Sequence, residues 1–146
     1  MSHSLNRIWI HSVWSTKDRT PFLSKKKTII LDKLIELFTE QKSKVMIING
    51  TTDHIHCLYL LNPDKSNAEI LKNVKGSSSH WINQQEFFKA KFAWQVGFAS
   101  FSVSESLVQK VNKYIQNQEE HHSRISFGEE WNLLLNKHNI IIEGNH

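Results

Sequence analysis

The 146-residue sequence predicts an α+β fold built on a four-stranded antiparallel sheet. The segments with strand and helix patterns follow one another in the order β-α-β-β-α-β-α. Two adjacent strand segments are separated only by a short turn, which indicates a hairpin. The composition is that of a globular protein, with 39% apolar and 22% charged residues. These observations together predict a sheet that is covered by helices around one hydrophobic core.

The first half of the chain supplies three of the strands and one helix. Residues 5–14 are rich in Ile, Trp and Val, which is typical of a strand, and a loop follows over residues 16–21. We expect Ser24 to cap a helix that ends near Gln41, because apolar residues recur there at helical spacing. Residues 45–50 and 54–61 then predict two strands, joined by a turn at residues 51–53.

The second half supplies the remaining strand and helices. Ser66 is the expected cap of a second helix, whose inward residues are Ile70, Leu71, Val74, Trp81 and Ile82. Residues 98–103 alternate between apolar and polar and predict the fourth strand. A third helix is expected from about 105 to 122, capped by Ser102 or Ser104, and a short one within 129–142. The first six elements match the split βαβ, or ferredoxin-like, arrangement. It predicts an antiparallel sheet with helices on one face, the other face open for function or pairing, and a further C-terminal helix.

Composition and charge limit the class of protein. We interpret residues 1–146 as one domain, and no apolar run approaches the roughly 20 residues that span a bilayer. The N-terminus lacks the apolar region of a signal peptide, and the lone Cys57 excludes an internal disulfide framework. We therefore expect a cytoplasmic protein. The formal net charge of +4 and the pI of about 9.2 are compatible with a nucleic-acid partner.

His54 and His56 are the most informative residues. Side chains alternate along a strand, so both imidazoles point to one face, while Ile55 and Cys57 point to the other. Two neighbouring imidazoles make half of a metal site. Asp53 either orients a histidine or makes the turn, and the turn is slightly favoured.

The third predicted helix carries the complementary residues. With Leu107 as the reference, 100° per residue places Tyr114 at about 340° and Gln118 at about 20°. Gln118 therefore lies in an apolar stripe, where an unpaired amide costs on the order of 1–3 kcal/mol. A metal is one possible partner, and His54, His56 and Gln118 would suit Mg²⁺ or Mn²⁺. Tyr114, one turn earlier, is a candidate nucleophile toward a metal-bound phosphate.

These motifs resemble the IS200/IS605 family of single-tyrosine transposases. His54-Ile55-His56 is similar to the His-hydrophobe-His motif of rolling-circle-type nucleases, and residues 114–118 with His121 and His122 are similar to the family's tyrosine helix. Residues 11–19 resemble its first strand and basic loop, and residues 94–104 resemble the segment that leads into the tyrosine helix. The four motifs occur in order over nearly the whole chain.

The resemblance implies a transposase that cuts and rejoins single-stranded DNA at hairpin-bearing transposon ends through a 5′-phosphotyrosine. It implies that His54, His56 and Gln118 bind a divalent metal, Mg²⁺ or Mn²⁺, and that Tyr114 is the nucleophile. It also implies a homodimer whose sheets join and in which the tyrosine helix of one subunit can complete the site of the other.

Several basic residues are candidates for DNA contact, and three further histidines have interpretations of their own. The candidate DNA-binding residues are Lys17, Arg19, Lys72 and Lys75. Lys25, Lys26 and Lys27 either contact phosphate groups or form a solvated helix face. For His11, packing or DNA contact is favoured over metal ligation. His121 and His122 are interpreted as residues of the helix C-terminus.

Three alternatives stay open at this level. A domesticated relative would still cut single strands without moving an element. A non-catalytic ferredoxin-like nucleic-acid module would show aromatic pairs on the central strands and would leave Gln118 unexplained. The third is a metal-dependent hydrolase or a histidine-triad nucleotide enzyme, and the triad motif would require a histidine at position 58, which is Leu58.

Overall fold

The structure, a computed structural model, describes residues 4–118 and 127–137. The elements are β1 (Trp9–Ser15), α1 (Leu23–Glu40), β2 (Val45–Gly50), β3 (His54–Leu60), α2 (Asn67–Gln84), β4 (Ala99–Val103), α3 (Val108–Gln116) and α4 (Phe127–Lys137). The structure confirms the predicted fold class: four antiparallel strands lie in the spatial order β2-β3-β1-β4, with helices packed on the sheet. Two short 3₁₀ turns, Lys17–Arg19 and Glu105–Leu107, precede α1 and α3.

One face of the sheet carries the main core. Along β3, Ile55, Cys57 and Tyr59 all point to this face, because alternate residues of a strand share a side. Trp14 of β1 joins them, and α1 and α2 cover the layer with apolar stripes. The buried helical residues include Ile30, Leu34, Phe38, Ile70, Leu71, Val74 and Ile82.

The opposite face is covered rather than open, which corrects the sequence-based expectation. Trp9 and Leu58 pack there against Val108 and Ile115 of α3. A neighbouring cluster joins Val13 and Phe101 to Leu134 of α4. The same alternation that points the histidines to this face also points large apolar side chains there, and they require cover. Helices α3 and α4 supply it.

Of the three helix caps that the sequence predicts, one is confirmed and two are wrong. The Ser66 cap is confirmed, because its hydroxyl oxygen accepts a hydrogen bond from the backbone N–H of Glu69 at 3.1 Å. The Ser24 cap is wrong: α1 begins at Leu23, and the Ser24 hydroxyl donates to the carbonyl of Pro21. The cap predicted for the third helix is also wrong. A 3₁₀ turn with no capping side chain intervenes, and α3 begins only at Val108.

The ends of other elements differ from the predicted ones by a few residues. β1 begins at Trp9, where pairing with both β3 and β4 begins, whereas Leu5 is 87% exposed. Trp81, which was predicted to face inward, is only half-buried. Ser78 is fully buried instead, and its hydroxyl oxygen accepts a hydrogen bond from the indole N–H of Trp94. The third helix ends at Gln116, with Asn117 as its C-cap, and not near 122, so Gln118 lies just beyond this helix. His121 and His122 lie outside the described residues. Among the helices described, none is both long enough and apolar enough to cross a membrane.

Candidate metal and tyrosine site

His54 and His56 lie on the same face of strand β3. β3 pairs with β1 so that His54 lies opposite Ser15 and His56 opposite Val13. Both imidazoles are completely buried, and their ring centroids are 5.3 Å apart. The period-two expectation for this pair therefore holds in the structure.

The Nδ1 atom of each histidine is held by a protein group. His54 Nδ1 lies 2.9 Å from Asp53 Oδ1 and 2.9 Å from the hydroxyl of Thr51. His56 Nδ1 lies 2.9 Å from Nε2 of the buried His11. Such partners fix the ring orientation and leave the Nε2 atoms to face a common point, as in histidines that bind metals. Asp53 thus does more than make a turn, and His11 acts by packing and hydrogen bonding.

Glu130, on α4, completes a group of three possible ligands. Its Oε1 lies 2.6 Å from His56 Nε2 and 3.3 Å from His54 Nε2, and the side chain is fully buried. One ligand atom from each of the three residues lies within 4.8 Å of the others. Two imidazoles and a carboxylate on one side of an ion are an established ligand set for divalent metals.

The charged forms of the histidines and of Glu130 stabilise one another and shift one another's pKa. Burial by itself would raise the pKa of Glu130, but hydrogen bonds and the charges of His54 and His56 lower that pKa well below its usual range. For His54, burial lowers the pKa, while Asp53 and Glu130 outweigh it and leave the pKa raised. The carboxylate is therefore ionised, as a metal ligand must be.

Sequence reasoning missed Glu130. The residue is 74 positions from His56 along the chain, so no local motif links the two. A signal was nevertheless present: Glu130 and Leu134 are four residues apart and share a helix face, and Leu134 is buried in an apolar cluster. A carboxylate on an apolar helix face is the same kind of anomaly as Gln118.

Tyr114 lies beside the histidines of the same chain. Its ring centroid is 5.8 Å from that of His56 and 6.3 Å from that of His11. The Asn49 side chain on β2 fixes the end of α3, since its Nδ2 donates to the carbonyl of Ile115 at 3.0 Å. Burial raises the pKa of Tyr114, and the charge of Glu130 raises it further. Tyr59 faces the other side of the sheet and hydrogen-bonds Ser12 in the core.

Gln118 is fully buried close to Tyr114, whose hydroxyl it approaches. Neither its amide nitrogen nor its amide oxygen makes a hydrogen bond of normal geometry within the described chain, and the same is true of Glu130 Oε2. Buried polar atoms without such partners are rare, and a bound ion or water is one explanation for them. The donor set therefore fits a bound divalent cation, and the role of Gln118 as a ligand stays a prediction.

The predicted DNA-binding residues lie in two places. Lys17 and Arg19 are exposed on the 3₁₀ turn after β1, next to the metal group, because the N–H of Thr16 donates to the carbonyl of Asp53 at 2.8 Å. Lys72 is exposed on α2, beside a groove of about 390 Å³. Lys75 lines the same groove, but its ammonium donates to backbone carbonyls such as that of Gln95 at 2.9 Å.

Lys27 also has a structural role, because its ammonium donates to the carbonyl of Gly50 at 3.2 Å. Of the three consecutive lysines, this one supports the hairpin that leads into β3.

The family model described as "Transposase IS200 like" matches residues 4–118. The chain belongs to the IS200-like transposase family. Comparison with curated proteins returns no match. The matched range includes His54, His56, Tyr114 and Gln118, whereas Glu130 lies beyond it.

Two solved structures resemble this IS200-like chain in fold. One is described as a "putative transposase" from Deinococcus radiodurans R1, with a TM-score of 0.62, 20% identity, and coverage of 81% of this chain and 95% of the other. The second is a REP-associated tyrosine transposase bound to a REP hairpin, with a TM-score of 0.62, 16% identity, and coverage of 86% and 76%. At these identities the likeness supports the fold.

Proposed function

We propose that this transposase cuts and rejoins single-stranded DNA through a covalent bond between Tyr114 and a 5′ phosphate, with the help of a divalent metal. The observation that carries the proposal is the position of Tyr114 against a buried group of two histidines and a carboxylate. A tyrosine, possible metal ligands and one buried amide with no hydrogen bond of normal geometry among the described residues occur together on one face of the sheet. A structural role would require only apolar side chains there.

His54, His56 and Glu130 would hold Mg²⁺ or Mn²⁺, with Gln118 as a further candidate ligand. When bound, the ion would polarise a phosphoryl oxygen and lower the raised pKa of Tyr114. The carboxylate of Glu130 supplies the negative charge that two neutral imidazoles lack. The partners of the Nδ1 atoms hold both rings in place while the DNA enters and leaves.

The covalent step belongs to Tyr114. Its hydroxyl oxygen forms a bond to phosphorus, the bond from phosphorus to the 3′ oxygen breaks, and that oxygen takes up a proton. The phenol loses its own proton in the same exchange. Because one phosphodiester replaces another and a phenol has a pKa of about 10, a second 3′-hydroxyl can reverse the step. That reversibility suits strand transfer better than hydrolysis.

The basic residues indicate where the DNA lies. Lys17 and Arg19 flank the end of the sheet that holds His54, so they are placed to contact the phosphates of the strand being cut. Lys72 and the groove beside it lie on α2 and suit a second stretch of backbone. The hairpin-bound transposase that shares this fold supports a hairpin-bearing single strand as the substrate.

A covalent adduct is the direct test. Single-stranded hairpin DNA incubated with Mg²⁺ or Mn²⁺ should yield a protein–DNA adduct, and mass analysis should place it on the Tyr114 peptide rather than on that of Tyr59. Tyr114→Phe should abolish the adduct and retain hairpin binding, because only the hydroxyl is lost. Adducts that persist in this variant would overturn the assignment.

The same assay separates the alternatives. Adducts followed by transfer to a second 3′-hydroxyl indicate a transposase, whereas adducts without transfer indicate a domesticated single-strand nuclease. DNA binding without any adduct, metal present, would indicate a non-catalytic module.

A further inference from the structure

A pocket of about 430 Å³ opens beside Tyr114, on the sheet face that carries the metal group. Its lining comes from the 3₁₀ turn before α3, from α3 itself and from α4, together with residues of β1 and β4. The lining residues that matter here are His11, Leu107, Lys110, Val111, Tyr114 and Leu134. The volume falls within the range of roughly 300–1,000 Å³ that is typical of small-molecule sites.

The chemistry of the pocket suits one unpaired nucleotide. Leu107, Val111 and Leu134 form apolar walls, and Leu107 is 49% exposed although it is a large apolar residue. Lys110 is exposed and brings a positive charge to the same opening. None of the described residues that line the pocket is acidic. A flat ring with an attached phosphate satisfies both the apolar walls and the lysine.

We propose that this pocket binds the nucleotide immediately 3′ to the cut, which is the nucleotide that becomes linked to Tyr114. The proposal rests on the proposed function and specifies its substrate site. In phosphoryl transfer the attacking and leaving oxygens lie roughly in line on opposite sides of phosphorus. The departing 3′ oxygen and its nucleotide are therefore on the side away from Tyr114. The retained nucleotide is joined to phosphorus through its 5′ oxygen, which is neither the attacking nor the leaving atom, so this nucleotide can reach a pocket that Tyr114 lines.

Recognition in this pocket depends on shape and stacking. Apolar walls contact the faces of a base, and every base has such faces, so the pocket tolerates different bases while requiring that one is present. Lys110 contacts the phosphate and adds affinity without reading sequence. An abasic nucleotide at this position should therefore be a poor ligand, whichever base it replaces.

The test begins with a cut position that is mapped for the protein itself. Wild-type protein with Mn²⁺ is incubated with a randomised pool of single-stranded hairpin oligonucleotides, and the DNA of the trapped tyrosine adducts is sequenced. Affinity of the Tyr114→Phe protein is then measured for one such oligonucleotide. The same oligonucleotide is also tested with an abasic nucleotide 3′ or 5′ to the cut. The 3′ replacement should weaken binding at least about fivefold, and the 5′ replacement less than about twofold.

Two variants tie this effect to the pocket. Leu107→Ala in the Tyr114→Phe background should weaken binding of the intact oligonucleotide and have no further effect on the 3′-abasic one, since both changes remove the same contact. Lys110→Ala should weaken binding several-fold, whereas Lys113→Ala, an exposed lysine of α3 outside the pocket lining, should not.

The outcomes separate this inference from the proposed function. Equal affinity of the Tyr114→Phe protein for the intact and the 3′-abasic oligonucleotide, or a Leu107→Ala effect that is the same on both, would overturn the pocket assignment alone. Failure to trap any adduct would overturn the proposed function, and the nucleotide site with it.

Discussion

At the scale of the residue, the site depends on side chains that are unfavourable unless they bind something. Glu130 is a buried carboxylate between two imidazoles, and Gln118 is a buried amide with no normal hydrogen bond among the described residues. Burying such groups costs free energy unless they are paired. Their presence at buried positions that could have been apolar indicates that the chain requires their oxygen atoms at this place.

The role of Glu130 can be measured without DNA. Glu130→Gln keeps the shape of the side chain but removes its charge, so Mn²⁺ affinity should fall at least about tenfold, the loss typical even for partners that only orient a ligand. Isothermal titration calorimetry or electron paramagnetic resonance of Mn²⁺ checks this. Glu129→Gln, one position earlier and exposed, is the matched control and should bind Mn²⁺ as the wild type does. Equal affinity in the two variants would remove Glu130 from the ligand set.

At the scale of the element, the β2–β3 hairpin positions His54. Substitution of a glycine in this hairpin, compared with substitution of a glycine in α2, tests how tightly its backbone is packed. A Cβ added at Gly50 would lie 2.5 Å from the carbonyl oxygen of His54, whereas at Gly76 in α2 it would meet nothing within 4 Å. Gly50→Ala should therefore strain the turn that leads into His54. Gly76→Ala should stabilise α2, because alanine loses less backbone entropy than glycine in a helix.

The two substitutions should have opposite signs in thermal unfolding. Gly76→Ala should raise the free energy of unfolding by about 0.5–1 kcal/mol. Gly50→Ala should lower it by about 1–3 kcal/mol, the usual cost of forced packing. For a chain of this size, 1 kcal/mol moves Tm by roughly 2–4 °C. An unchanged Tm in Gly50→Ala would show that the hairpin yields without cost.

At the scale of the whole molecule, the sequence predicts what local patterns determine. The strand alternation that joins His54 to His56, the hairpin, the Ser66 cap and the burial of Gln118 all depend on neighbours in the sequence. The docking of α4 depends on contacts between distant segments, such as Leu134 with Val13 and Phe101. Glu130 enters the site only through that docking, so no local motif indicates it, and it lies beyond the family model's match over residues 4–118.

The remaining question at this scale is which chain supplies the tyrosine. The resemblance to the family implies a homodimer, in which the tyrosine helix can complete the partner's site. In this structure Tyr114 lies beside His56 of its own chain, and Asn49 ties the end of its helix to β2 of that chain. We therefore expect each site to be assembled within one chain, whether or not two chains associate.

Mixing two inactive variants tests this expectation. Combining His56→Ala with Tyr114→Phe should restore no cleavage, because every site within one chain then lacks either the histidine or the tyrosine. If the tyrosine helix were exchanged, one site of each mixed dimer would be intact, and random pairing would recover about a quarter of wild-type activity. Differently tagged proteins, co-purified and examined by sedimentation velocity, establish whether mixed dimers are present. Cleavage by confirmed mixed dimers would show that the partner's Tyr114 serves these histidines, and inactivity of the same dimers would place the whole site in one chain.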